Sequence, residues 1–137
     1  MSRISFARLL TLADYLTTVP QERFNMAYWG QGTIKASYPE CGFTGCAMGH
    51  AAFIPAFRAA GLHLVRVEKA GERGSDYDRH EPRFKRFREM RAAEAFFRLE
   101  RKQAISLFGG ENSQGKDREE TPKQVAARIR RFVTRLK

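Results

Sequence analysis

The 137-residue chain sets 25 Lys and Arg against 15 Asp and Glu, a formal net charge of +10, and is 42% hydrophobic with eleven Phe. That content excludes global disorder, which needs a chain too polar to collapse, and the length suits one domain able to bury its own core. Two cysteines exclude a disulfide-rich scaffold, and no run is long and apolar enough to span a bilayer.

The charge is uneven. Residues 1–60 hold five basic and three acidic side chains, whereas residues 61–137 hold twenty and twelve. A field of this sign attracts nucleic acid, acidic protein surfaces or anionic lipid without choosing among them.

Taken along the chain, the first apolar run predicts a helix from Ser5 to Val19, with Phe6, Leu9, Leu10, Ala13, Leu16 and Val19 on one face. Asp14 within it and the absence of a small-residue cleavage pattern argue against a targeting segment, so a cytoplasmic protein is expected. Pro20 ends the run. Phe24, Met26, Tyr28 and Trp29, followed by Gly30 and Gly32, predict a short turn or ordered aromatic loop packed on the core, with polar ring tips near water. Between Pro39 and Gly61, Gly42 suggests a tight turn and Thr44 an N-cap. A helix from Gly45 then places Cys46, Gly49, His50, Phe53 and Phe57 on one face. Pro55 kinks this helix or starts another, and Gly61 ends it.

Leu62–Glu68 favours a strand or structured loop, weakly paired with residues 33–38, and residues 70–82 read as an exposed loop. Helices are predicted over Arg88–Leu99, around Met90, Ala93, Phe96 and Phe97, and over Gln103–Phe108. After a polar linker, Thr121 as cap, Pro122 at the first helical position and Gln124 as the reciprocal residue start a last helix. Its stripe is Val125, Ile129, Phe132, Val133 and Leu136. The expected architecture is a single, mainly α domain over residues 1–137, a compact multi-helix bundle with room for one short β-hairpin.

The run Cys41-Gly-Phe-Thr-Gly-Cys46-Ala-Met-Gly-His50-Ala-Ala resembles the Cys-Gly-Thr-x-x-Cys-x-x-Gly-Trp/His-Ala signature of small proteins carried by bacteria, their phages and mobile elements. Phe24-Asn25-Met26, Trp29, Ala95–Leu99, Ala104, Leu107-Phe108 and Thr121-Pro122 with Val125 and Ile129 extend the resemblance over most of the chain. The pattern usually has glycine where this chain has Arg98, and commonly threonine at Phe43. The resemblance brings no catalytic residue or cofactor and implies a phage or mobile-element origin.

Several chemistries compete for the Cys-Gly motif. Cys46 and His50, four residues apart, could pair as nucleophile and base. Cys41, Cys46 and His50 with His63 or His80 could hold zinc. Cys41 and Cys46 could close a very short disulfide loop. Packing is the preferred reading: Cys46 and His50 as a structural pair, and Gly45 and Gly49, on one side of the helix, admitting another helix or the aromatic loop, with Cys41 and Gly42 in the same structural motif. No metal, cofactor or catalytic residue is assigned.

The basic residues carry the functional expectation. One cluster is Arg79, Arg83, Lys85, Arg86, Arg88 and Arg91, interleaved with Phe84 and Phe87. The other is the last helix, whose residues 122–137 include six basic and no acidic side chains, with Arg128, Arg131 and Arg135 beside the apolar stripe. Guanidiniums at such spacing track phosphates without reading sequence. The expected function is therefore a non-enzymatic basic protein that contacts nucleic-acid backbone. The alternative is a phage or mobile-element protein that binds an acidic host surface and inhibits, for example, a defence nuclease complex. A membrane partner is not expected, because the last helix lacks interfacial Trp.

Overall fold

The structure, a computed structural model, describes residues 2–32, 34–35, 38–39, 43–72, 77–109 and 119–136. Helix α1 spans Arg3–Leu16 and starts where the Ser2 side chain accepts the Ser5 N–H. It buries Leu9, Leu12, Ala13 and Leu16, while Phe6, Leu10 and Val19 are half-buried around them. A single 3-10 turn, Gln21–Arg23, follows Pro20.

The expected mainly helical bundle is incorrect: among the described residues, six α-helices pack with an antiparallel sheet. Strand β1 is Gly30–Gln31, and β2 (Ile34–Lys35) pairs with β3 (Tyr38–Pro39) as a separate ribbon. Strand β4 (His63–Glu68) pairs with β5 (Arg79–Phe84) and, among the described residues, not with β2 or β3, the expected hairpin partner. The other edge of β5 takes β1 at Arg79 and His80, and β6 (Phe87–Arg88) at Arg83 and Phe84. The central strand is thus Arg-His-Glu-Pro-Arg-Phe, four of whose six residues lie in the segment expected to be loop. A strand with so many charges and a proline at its middle lacks both branched residues and apolar alternation.

The Pro39–Gly61 segment divides into two short helices. Helix α2 is Ala47–Ala51, with Cys46 and not Thr44 at its N-cap position and no side-chain capping bond, while Thr44 bridges Gln31. Helix α3 is Pro55–Ala59, with Pro55 at its start, where a missing N–H costs nothing. Gly61, at φ 107°, turns the chain into β4.

Helix α4 (Met90–Phe97) and α5 (Arg101–Phe108) supply the centre of the core. Phe96 lies edge-on to Phe57, Phe84 and Phe97, at 4.8, 5.2 and 5.1 Å between centroids, and Phe97 stacks on Phe108 at 5.3 Å. Burying each such ring is worth about 1.5–3 kcal/mol. Arg8 closes the cluster from outside: its Nη1 donates to the Phe96 carbonyl at 2.6 Å, and its guanidinium lies 4.0 Å from that ring's centroid. Helix α6 (Pro122–Leu136) packs along α1 and against α5. Its capping box is formed: Gln124 N–H donates to Thr121 Oγ1 at 3.1 Å, and Thr121 N–H to Gln124 Oε1 at 2.8 Å.

Arg98 ends α4 in the left-handed conformation, φ 54° and ψ 53°, with its side chain exposed. An L-residue there pays a steric cost that glycine avoids. Arg98→Gly is accordingly expected to stabilise the fold by about 1 kcal/mol, read as a higher urea midpoint with unchanged slope. An unchanged or lower midpoint would count against the left-handed turn.

Candidate polyanion-binding surface

The Cys-Gly motif is built into the core. Main-chain hydrogen bonds lay residues 23–31 alongside 44–46: Gly45 N–H to the Arg23 carbonyl (3.1 Å), Asn25 N–H to that of Gly45 (3.0 Å), Cys46 N–H to that of Tyr28 (2.8 Å), and a reciprocal pair between Gln31 and Thr44 (2.7 and 2.8 Å). This brings the Trp29 main chain against the two glycines. A Cβ on Gly49 would lie 1.8 Å from the Trp29 carbonyl oxygen, and one on Gly45 at 2.9 Å. The neighbour that the glycines admit is the aromatic loop, although Gly45 lies before α2 and not within it. Trp29 is half-buried against the core and Tyr28 is exposed. Cys41 and Gly42 lie outside the described residues.

Cys46 and His50 are both buried and separately employed. His50 Nε2 donates to the Arg23 carbonyl at 2.6 Å, and its ring packs on Phe24 and edge-on to Phe43. Burial pushes the Cys46 thiol up to about 11, which disfavours the thiolate a nucleophile needs. Burial likewise holds the His50 imidazole below its ordinary value, against the opposing effect of the Arg23 hydrogen bond. His80 donates from Nε2 to the Gly32 carbonyl at 3.0 Å, and His63 is exposed on β4. Among the described residues no group of three or more His, Cys, Asp or Glu is placed to hold a metal ion.

These two groups set a pH window for stability. An unfolded imidazole titrates near pH ~6.5 and takes up a proton that folded His50 resists, so stability is lost as pH falls through that value. An unfolded thiol ionises from about pH 8.5, whereas Cys46 keeps its proton to about 11, so stability also falls as pH rises above the unfolded value. In a Cys41→Ser background, a thiol reagent at neutral pH should label Cys46 only as fast as the protein opens. Rapid labelling of the native state would contradict the burial.

The first basic cluster is the β5–β6 hairpin and the start of α4, not a loop. Arg79 pairs with Glu68 at 3.8 Å. Arg83 and Arg88 both pair with Glu81, whose carboxylate is buried beneath them, at 2.9 Å each. Lys85 and Arg86 form the two-residue connection, exposed, each leaning on the ring beside it: Lys85 over Phe84 and Arg86 over Phe87. Lys85 takes φ 54° at the first connecting position, where a tight hairpin turn needs a positive φ. Arg91 is exposed on α4 next to a shallow depression lined by Phe87 and Glu94.

The second cluster divides. Arg128 is folded inward, paired with Glu120 and donating through Nη2 to the Leu107 carbonyl near the end of α5 at 3.0 Å. Arg130 reaches Asp14 of α1 at 2.8 Å. Lys123, Arg131 and Arg135 are exposed, with no ion pair among the described residues, and they point away from the buried stripe of Val125, Ile129 and Val133. Phe132 is only half-buried and Leu136 is exposed. The hairpin packs on α4 and the last helix on α1 and α5, so the two clusters belong to different parts of the fold.

Sequence reasoning missed Glu81 and Glu120, the acids that organise the arginines. The spacing Glu81-x-Arg83 puts both side chains on one face of a strand, a signal available only once β5 is recognised as one. A cleft of about 300 Å³ between the aromatic loop and β4–β5 is lined by Trp29, Glu68, Arg79, His80, Glu81 and Glu89, but most of its polar groups already hold partners within the fold. Among the described residues no helix is long and apolar enough to cross a membrane. No family model, curated protein or solved structure matches the chain.

Proposed function

We propose that the chain is a non-enzymatic protein that binds the phosphate backbone of nucleic acid with little regard to sequence. The observation that supports this best is the outer face of α6. It carries Lys123, Arg131 and Arg135 exposed, and no acidic side chain occurs in the helix. Cations left unsatisfied by the fold are the ones available to displace counterions from phosphates, the step that drives such binding. Lys85, Arg86 and Arg91 add exposed charge on the hairpin side.

The test is binding to random-sequence duplexes across a salt series. Three phosphates neutralised by α6 give a slope of log affinity against log salt of about −2.7, or roughly a 40-fold drop between 50 and 200 mM. Changing the sequence should change little. If the protein binds no nucleic acid even at low salt, and a nuclease-treated host lysate yields one acidic partner instead, the reading gives way to that of a host-protein ligand.

A further inference from the structure

We infer that the β5–β6 hairpin is a preorganised phosphate clasp in which Arg83 and Arg88 hold phosphodiester groups and buried Glu81 is the residue that positions them. This deepens the backbone-binding reading and rests on it for the identity of the ligand.

The register sets Arg83 directly opposite Arg88 across the two strands. Like charges so placed repel, and the hairpin tolerates them because Glu81, two residues before Arg83 and on its face, lies between. Glu81 is 4% exposed. Arg88 grips it along one edge, Nε to Oε2 and Nη2 to Oε1, both at 2.9 Å. Arg83 Nε donates to the same Oε2 at 2.9 Å. The two guanidiniums therefore meet at Oε2, with Arg88 held by Oε1 as well.

What this leaves over points to a ligand. A guanidinium has five N–H groups in a rigid plane. Glu81 takes the Nε of Arg83, leaving its terminal Nη1–Nη2 fork, the edge that grips a phosphate in two parallel hydrogen bonds. Glu81 and, at 3.5 Å, Glu89 occupy Arg88 through Nε and Nη2, leaving both N–H groups of Nη1. The Arg88 side chain is 59% exposed and that of Arg83 33%. Lys85 and Arg86 at the tip bring the same charge to the approach. A paired arginine is ordinarily discounted as a ligand contact. Here the pairing uses the inner edges and holds the outer ones in place, lowering the ordering cost of binding.

This makes a prediction opposite in sign to that of charge alone. Glu81→Gln removes a negative charge from a surface that binds polyanions, so simple electrostatics predicts tighter binding. If Glu81 positions the arginines, the variant should bind a short oligothymidylate roughly fivefold more weakly, because two freed guanidiniums must be ordered again. Circular dichroism checks that the variant folds. If it does not, Arg88→Lys, which keeps the charge and loses the planar group, is judged by the same criterion. Unchanged or tighter binding overturns the clasp while leaving backbone binding intact.

If the wild type binds no oligonucleotide, the backbone reading fails, and inorganic phosphate decides the clasp on its own. Titrated into the ¹⁵N-labelled protein, phosphate should shift the Arg83 and Arg88 Nε–Hε resonances together. Two resonances that stay still overturn the clasp.

Discussion

Gly49→Ala is expected to unfold the protein or to cost about 3 kcal/mol or more, at the upper end of what overpacking does. The added methyl carbon would sit 1.8 Å from the Trp29 carbonyl oxygen, so one of the two main chains must move. Trp29 is poorly placed to retreat, because Tyr28 accepts the Cys46 N–H on one side and Gln31 exchanges two hydrogen bonds with Thr44 on the other. Withdrawing the loop would also take the Phe24 ring and the Arg23 carbonyl away from the buried His50. Against a typical total stability of about 5–15 kcal/mol, the loss is large. Gly45→Ala meets the same oxygen at 2.9 Å and the Phe43 ring at 3.2 Å, so a loss nearer ~1 kcal/mol is expected. Thermal melts of the two variants should therefore rank Gly49→Ala well below Gly45→Ala. Equal melting temperatures would mean that the loop stands further from α2 than these distances require.

That pair of glycines illustrates what could be read from the residues. Spacing within the motif favoured packing over chemistry, and the structure puts the Trp29 main chain on both positions. Choosing the aromatic loop over another helix as the occupant needed tertiary contacts, since nothing local to Gly49 specifies residue 29. The helices were legible for a similar reason. Leu9, Ala13 and Leu16, or Val125, Ile129 and Val133, repeat at helical spacing and are buried together, and the Thr121–Gln124 box marks a start by local chemistry alone.

The sheet was illegible because its centre breaks the rules by which strands are recognised. In β5 the residues facing the core or buried in the sheet include His80, Glu81 and Pro82. Each is acceptable only through a partner elsewhere: the Gly32 carbonyl for His80 and two arginines for Glu81. The Pro82 carbonyl accepts the Glu89 N–H, while its missing donor removes one bond from the ladder. Glu89 itself adopts φ 55° and ψ −131°, a conformation that glycine would take more readily. Polar residues satisfied by hairpin neighbours, as Glu81 is by Arg83 and Arg88, or at long range, as His80 is by Gly32, look in sequence like a solvated loop. The same effect blurred the arginines, whose count is plain in the sequence but whose availability depends on acids found only in three dimensions.

The arginines of α6 should consequently separate into two behaviours that the sequence presents as one. Arg131→Glu with Arg135→Glu is expected to weaken nucleic-acid binding at least tenfold near physiological salt and to flatten the salt slope by about 2, one for each phosphate no longer neutralised. Melting temperature should hardly change, since both side chains are exposed and without ion pairs among the described residues. Arg128→Ala should do the reverse. It breaks the pair with Glu120, leaving that carboxylate half-enclosed, and removes the donor that satisfies the Leu107 carbonyl near the end of α5. Losing charged hydrogen bonds of this kind costs about 1.5–3 kcal/mol, so the midpoint of urea unfolding should fall. The salt slope of the folded protein should stay where it was. A double charge reversal at 131 and 135 that leaves affinity and slope unchanged would remove α6 from the binding surface. A flattened slope in Arg128→Ala would show that its guanidinium, although folded inward, also reaches phosphate.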